Sequence, residues 1–224
     1  MDRSARLIQV TRPRTADGVV LVLHGGAAQR GDPPVSPSQP PVLLMIPVGR
    51  RIGRAGHGQL AVYRLLNSHR GWNREQSPVD DVRWALSQVH SDHAEVPVGL
   101  VGHSIGGRAA LLGAAEPGVV SAVALAPWVY PSDDAQLPGR RILIVHGCRD
   151  RVADPDRSAA VARNLASTAE SVGYVRVRDG RHALLRQSRL VTGLAAGFIA
   201  TTLLGQPAHG LVAAALNGQP DLEI

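Results

Sequence analysis

Residues 96–108 read VPVGLVGHSIGGR. An apolar, β-branched run ends in Gly102-His103-Ser104-Ile105-Gly106, and the next stretch, GGRAALLGAA, has the composition of a helix. A serine between glycines at such a junction has two readings. It is either a nucleophile held on a tight strand-to-helix turn or a filler in a glycine-rich chain. With 24 glycines and 14 serines in the chain, roughly 0.16 matches to G-x-S-x-G are expected by chance. The pattern alone is weak, so its setting has to decide. Gly102 and Gly106 let a strand and a helix cross closely and allow a strained backbone at Ser104, which would lift the hydroxyl out of the fold. The N–H of Ile105 would then open the helix, where a developing oxyanion is stabilised.

Working outward, short apolar runs alternate with amphipathic stretches. Strands are expected at 19–24, 59–66, 96–101, 119–126, 141–146 and 172–178. They are apolar on both faces, as strands buried in a parallel sheet are. Helices are expected at 41–55, 77–92, 106–116, 155–170 and 182–204. The 77–92 stretch begins with Ser77, Pro78 and Asp80, and Val82, Leu86 and Val89 then recur at helical spacing. This alternation specifies an α/β fold with right-handed crossovers and helices on both faces of the sheet. Residues 1–224 read as one domain, with a core over about 19–204 and a tail over 206–224 that adds a short apolar helix. The proline-rich stretch 29–41, QRGDPPVSPSQPP, reads as a loop following the first strong strand.

Composition excludes several function classes. The formal charge is +6, yet all 24 basic residues are arginine, spaced in ones and twos without aromatic interleaving. That is not the footprint of a nucleic-acid binder, so no nucleic-acid partner is expected. Cys148 is the only cysteine, which rules out an internal disulfide and suits a reducing compartment. The N-terminus lacks the pattern of a secretory signal, and the sixteen apolar-rich residues 190–205 are too few to span a bilayer, so the cytoplasm is the expected location. His90 and His93, near Asp92 and Glu95, read as a solvated helix end rather than a metal site. No metal or organic cofactor is implied.

A serine hydroxyl needs a base. His182, in RVRDGRHALLR, lies just past the last expected strand, whereas His209 sits in a tail with no strand before it. An imidazole needs an orienting carboxylate. RRILIVHGCRDRVADP is a strand followed by a turn carrying Asp150 and Asp154. Asp154 precedes Pro155 and reads as a helix cap, leaving Asp150 as the acid, with Asp133 and Asp134 as fallbacks. His24-Gly25-Gly26 ends the first strong strand. Its glycines would expose backbone N–H groups suited to a second oxyanion donor, although a plain glycine turn would look the same.

The order HGG, G-x-S-x-G, Asp, His resembles the α/β-hydrolase family from about Val19 to Leu204. The elbow is Gly102 to Gly106, the acid lies in an HG-x-x-D turn at His146 to Asp150, and the histidine is His182. The resemblance implies Gly26 as the first oxyanion donor, with Ala27 next in line. Within the family the chain looks like the small serine hydrolases grouped with dienelactone hydrolases and serine aminopeptidases, though the former often carry a cysteine nucleophile. The two strands that usually open the family's sheet are hard to find in residues 1–18, where SARLIQV supplies one at most, so a mainly parallel sheet of six or seven strands is expected. Only Trp128 to Gly139 is free between the expected strands after Ser104, which leaves no room for a cap domain. The site should be open, shielded by the 29–41 loop and the 68–77 loop containing Trp72.

These residues imply hydrolysis of a small carboxylic ester, of short or medium acyl chain, through an acyl-enzyme. Ser104 would attack, His182 would take its proton, Asp150 would orient the imidazole, and the N–H groups of Gly26 and Ile105 would hold the oxyanion. Ala27, His103 and Trp128 are the candidate substrate contacts, with Trp128, Val129 and Tyr130 as a possible acyl wall. Acyl transfer, thioester or peptide cleavage on the same residues, or a non-catalytic binding protein, are the other readings the fold admits.

Overall fold

A computed structural model of the chain describes residues 5–26, 34–72, 77–93, 95–133, 135–219 and 221–224. In chain order the elements are β1 (Arg6–Thr11), β2 (Gly18–Leu23), α1 (Pro40–Ala55), β3 (Leu60–Leu66), α2 (Ser77–Asp92), β4 (Val98–His103) and α3 (Ile105–Gly113). They continue as β5 (Val119–Leu125), β6 (Arg141–Gly147), α4 (Pro155–Leu165), β7 (Ser171–Val177), α5 (Ser188–Leu204), α6 (Gly210–Leu216) and β8 (Leu222–Glu223). One sheet holds all the strands, in the order β1-β3-β2-β4-β5-β6-β7-β8, with β1 antiparallel and the rest parallel.

Alternation along each central strand explains the two layers of helices. In β2, Val20 and Val22 face α1 and α5, packing with Met45, Val48, Ile52 and Ile199. Val19, Leu21 and Leu23 face the other way, in the cluster of Val82, Ala109 and Val161 from α2, α3 and α4. A strand buried on both sides has no polar face to show, which is why the sequence reads as continuous apolar runs. No described helix is long and apolar enough to cross a membrane, and α5 instead buries Leu194, Phe198 and Ile199 on the sheet.

The sheet has eight strands rather than six or seven. SARLIQV does form β1, and a further strand, β8, lies in the tail. Two residues are too few to show a period of two. Pairing to the free edge of β7 defines β8, through Ile224 N–H to Arg176 O and Arg178 N–H to Ile224 O, both 2.8 Å. Helix α5 starts at Ser188 instead of 182, after a stretch of turns in which Leu184 takes a positive φ of 51°. Helices α3 and α4 are also shorter than expected. Between β5 and β6 the described residues form no helix and no cap, and Leu137 fills the core there. The 29–41 stretch is divided: 29–33 lie outside the described residues, Pro34 bridges to His69, and Pro40 opens α1.

Parallel strands bring the segments after β2, β4, β6 and β7 to one edge of the sheet. In open α/β sheets the carboxyl ends of the strands are where ligands bind.

Candidate active site

Ser104 joins β4 to α3 with φ 57° and ψ −121°, a conformation that a non-glycine residue adopts only when its surroundings enforce it. The enforcement is visible. Ser104 N–H donates to Leu125 O at 2.9 Å, and Ser104 O accepts from the N–H groups of Arg108 and Trp128, each at 3.1 Å. A Cβ at Gly102 would lie 2.0 Å from Gly106 O, and one at Gly106 would lie 2.5 Å from His24 O. Only glycine lets strand, helix and the His24 loop approach this closely.

His182 Nδ1–H donates to Asp150 Oδ2 at 2.8 Å. With that nitrogen protonated, Nε2 is free to accept the Ser104 hydroxyl, whose Oγ lies 3.0 Å away. The histidine side chain is one-fifth exposed and the aspartate fully buried. Such a chain can move a proton from hydroxyl to imidazole with the charge balanced by the carboxylate. The turns that carry acid and histidine are stitched together by Cys148 N–H to Val177 O and Arg149 N–H to Gly180 O, both 2.9 Å.

Asp150 has a second imidazole on the same oxygen. His146 Nε2–H donates to Oδ2 at 3.1 Å, while Ser158 Oγ lies 2.7 Å from its Nδ1 and 3.1 Å from Tyr174 Oη. The other carboxylate oxygen accepts from Val152 and Ala153 N–H at 2.8 and 3.0 Å. Burial alone would raise the Asp150 pKa. The hydrogen bonds from His146, His182, Val152 and Ala153 outweigh it and hold the carboxyl well below the usual carboxylate range.

The His24-Gly25-Gly26 loop lies against the elbow, since a Cβ on Gly25 would be 3.2 Å from Ser104 Cβ and one on Gly26 would be 3.1 Å from Ile105 Cδ1. His24 Nδ1–H donates to Gly25 O at 2.6 Å, and its Nε2 accepts from Asn67 N–H at 3.1 Å. Gly25 O and Gly26 N–H belong to one trans peptide, so anchoring the carbonyl fixes the direction of the opposite N–H. Burial lowers the His24 pKa, which keeps this tautomer neutral.

His103 supports the histidine loop from behind. Its Nε2–H donates to His182 O at 2.8 Å, the two rings lie 4.9 Å apart, and its buried Nδ1 has no partner among the described residues. Burial brings its pKa down to about 4, against the raising effect of the His182 carbonyl. It is therefore a scaffold for His182. Trp128 touches Ser104 through its backbone, and its ring meets Tyr130 edge-on at 5.2 Å. Arg108, one turn into α3, is buried beneath Trp72 and Tyr130 and is paired with Asp133 at 2.6 Å.

The structure thus brings Ser104, Asp150, His182, Gly26 and Ile105 to one place. Asp133 is engaged by Arg108, Asp154 caps α4 through Asp156 N–H, and His209 precedes α6. His93 Nε2 lies 2.8 Å from the Tyr63 hydroxyl, and no group of three metal-ligand side chains occurs among the described residues. Ala27 and Asp134 lie outside the described residues. Reading the sequence missed the supporting roles of His24, His103 and His146. The only signal for His146 was its position four residues before Asp150 in the HG-x-x-D turn.

A family model for the serine aminopeptidases (S33) matches residues 51–141, a span that contains Ser104 and stops short of Asp150 and His182. A lidless α/β serine hydrolase from Xanthomonas campestris superposes with a TM-score of 0.68 at 18% identity, covering 91% of this chain and 90% of that one. The esterase domain of a Rhodothermus marinus protein superposes at 0.62 and 14% identity over 89% and 99% of the two chains. An arylesterase does so at 0.63 and 14% over 89% and 85%. No curated protein matches the chain. In strand order, helix layers and, among the described residues, an open edge without a cap, the chain has the α/β-hydrolase fold.

Proposed function

We propose that the protein is a serine hydrolase that cleaves carboxylic esters of short or medium acyl chain through an acyl-enzyme. The observation that carries this reading is the unbroken line from Ser104 Oγ to His182 Nε2 at 3.0 Å and from His182 Nδ1 to Asp150 Oδ2 at 2.8 Å. His182 removes the Ser104 proton as the oxygen attacks the ester carbonyl, and Asp150 balances the charge that forms on the imidazole. The oxyanion is held by Ile105 N–H at the start of α3 and by Gly26 N–H, whose peptide His24 anchors. His182 then returns the proton to the leaving alcohol. Water repeats the sequence on the acyl-enzyme, releasing the acid and restoring Ser104. The likeness to esterases supports the ester substrate, and the absence of a cap between β5 and β6 among the described residues supports small substrates.

Labelling with a fluorophosphonate probe tests the reading. The intact protein is expected to label and Ser104→Ala to remain unlabelled, with hydrolysis of p-nitrophenyl esters falling on the order of 10⁶-fold in kcat. Folded protein that does not label, or a variant that labels equally, would overturn it.

A further inference from the structure

The arginines look scattered along the sequence, but the fold gathers four of them, from two segments, around one cavity. Between Asp32 and Glu75, and again between Asp179 and Asp221, there is no acidic residue, yet these two segments hold nine of the 24 arginines. The remainder of the chain is net negative. The two segments contain α1 and α5, which pack side by side on one face of the sheet.

Toward the catalytic edge these helices part around a cavity of about 440 Å³, within the range of small-molecule sites. Met45, Val48, Leu125, Leu184 and Val191 make an apolar floor. Arg50, Arg51, Arg54 and Arg189 line the cavity, no acidic residue does, and none of the four pairs with a described carboxylate. Arg64 adds to the same field: burial and the nearby charge of Arg50 both lower its pKa. The lining omits Ser104, Ile105 and Gly26, so this is a site apart from the nucleophile. It does include His103, Ala183 and Leu184, so an occupant would rest against the support of the His182 loop.

Apolar walls under unpaired guanidinium groups complement one kind of ligand, an organic anion with a hydrocarbon body. We propose that the α1/α5 cavity binds a carboxylate carrying an apolar tail, the tail on the floor and the carboxylate among the arginines. An apolar floor beneath the arginines fits an amphiphile better than a polyanion, which has no hydrocarbon body to cover it.

The proposal does not depend on the esterase reading, so it is tested on the Ser104→Ala protein by isothermal titration. Octanoate is expected to bind at least about tenfold more tightly than octanol, as charge-assisted hydrogen bonds require. Arg51→Ala with Arg54→Ala is expected to weaken octanoate about tenfold or more and leave octanol unchanged. Equal affinity for octanoate and octanol, or unaltered octanoate binding in the folded double variant, would overturn the proposal. So would a DNA duplex that binds more tightly than octanoate and loses its affinity in the same variant.

Discussion

His103 makes the structure's electrostatics measurable as stability. The ring is buried in the elbow, donates Nε2–H to His182 O, and leaves Nδ1 without a partner among the described residues. Burial penalises its charged form and brings the pKa from an ordinary 6.5 to about 4 in the folded protein. The unfolded chain therefore binds more protons between these values, so stability falls as pH drops through this interval. Integrated over the two titrations, the contribution is a loss of about 2 kcal/mol by pH 5 and about 3 kcal/mol by pH 4, relative to pH 8. His24, also buried with a lowered pKa, acts in the same direction, so the wild-type curve contains both. Comparison with His103→Gln isolates the first, because the amide can still donate to His182 O and does not titrate. Urea unfolding followed by circular dichroism at pH 8, 5 and 4 gives the two curves. The variant is expected to gain about 2 and then about 3 kcal/mol on the wild type as the pH falls, whatever offset the lost ring causes at pH 8. Parallel curves would refute the account of His103 as a buried neutral imidazole.

Gly102→Ala places a Cβ 2.0 Å from Gly106 O, a backbone atom that cannot turn aside. It is expected to cost about 3 kcal/mol or more in urea unfolding and, by displacing Ser104, about 10²-fold in kcat for the proposed hydrolysis of p-nitrophenyl esters. His146→Phe removes a hydrogen bond to Asp150 Oδ2 and is expected to lower kcat about 10- to 100-fold with KM little changed. His146→Gln, which can still donate, should recover much of that loss, and a change in KM as large as that in kcat, or no recovery, would assign His146 to packing alone.

Much of the fold was legible because the parallel strands are apolar on both faces, so that β2 to β7 announce themselves as short β-branched runs within two residues of their true ends. What escaped was set by partners distant in sequence. Leu222 and Glu223 are a strand only because β7 leaves an edge for them. The turns at 181–187, not a helix, carry His182, since Leu184 is held at positive φ with its side chain in the core.

Residue type and spacing alone determined that the chain is α/β, that Ser104 sits on a strand-to-helix turn, and that an acid and a histidine follow later strands. Those are local properties, written in periodicity and in glycines that no other residue could replace. Which carboxylate meets His182 was decided by the fold, because Asp133 is committed to Arg108 while Asp150 lies on the neighbouring strand's turn. The second imidazole on Asp150, the anchoring of the Gly25 carbonyl and the gathering of α1 and α5 arginines around one cavity are likewise tertiary. Each depends on the through-space meeting of segments that sequence separation conceals, and electrostatic and hydrogen-bond energies are set by that spatial distance, by geometry and by burial, not by separation along the chain.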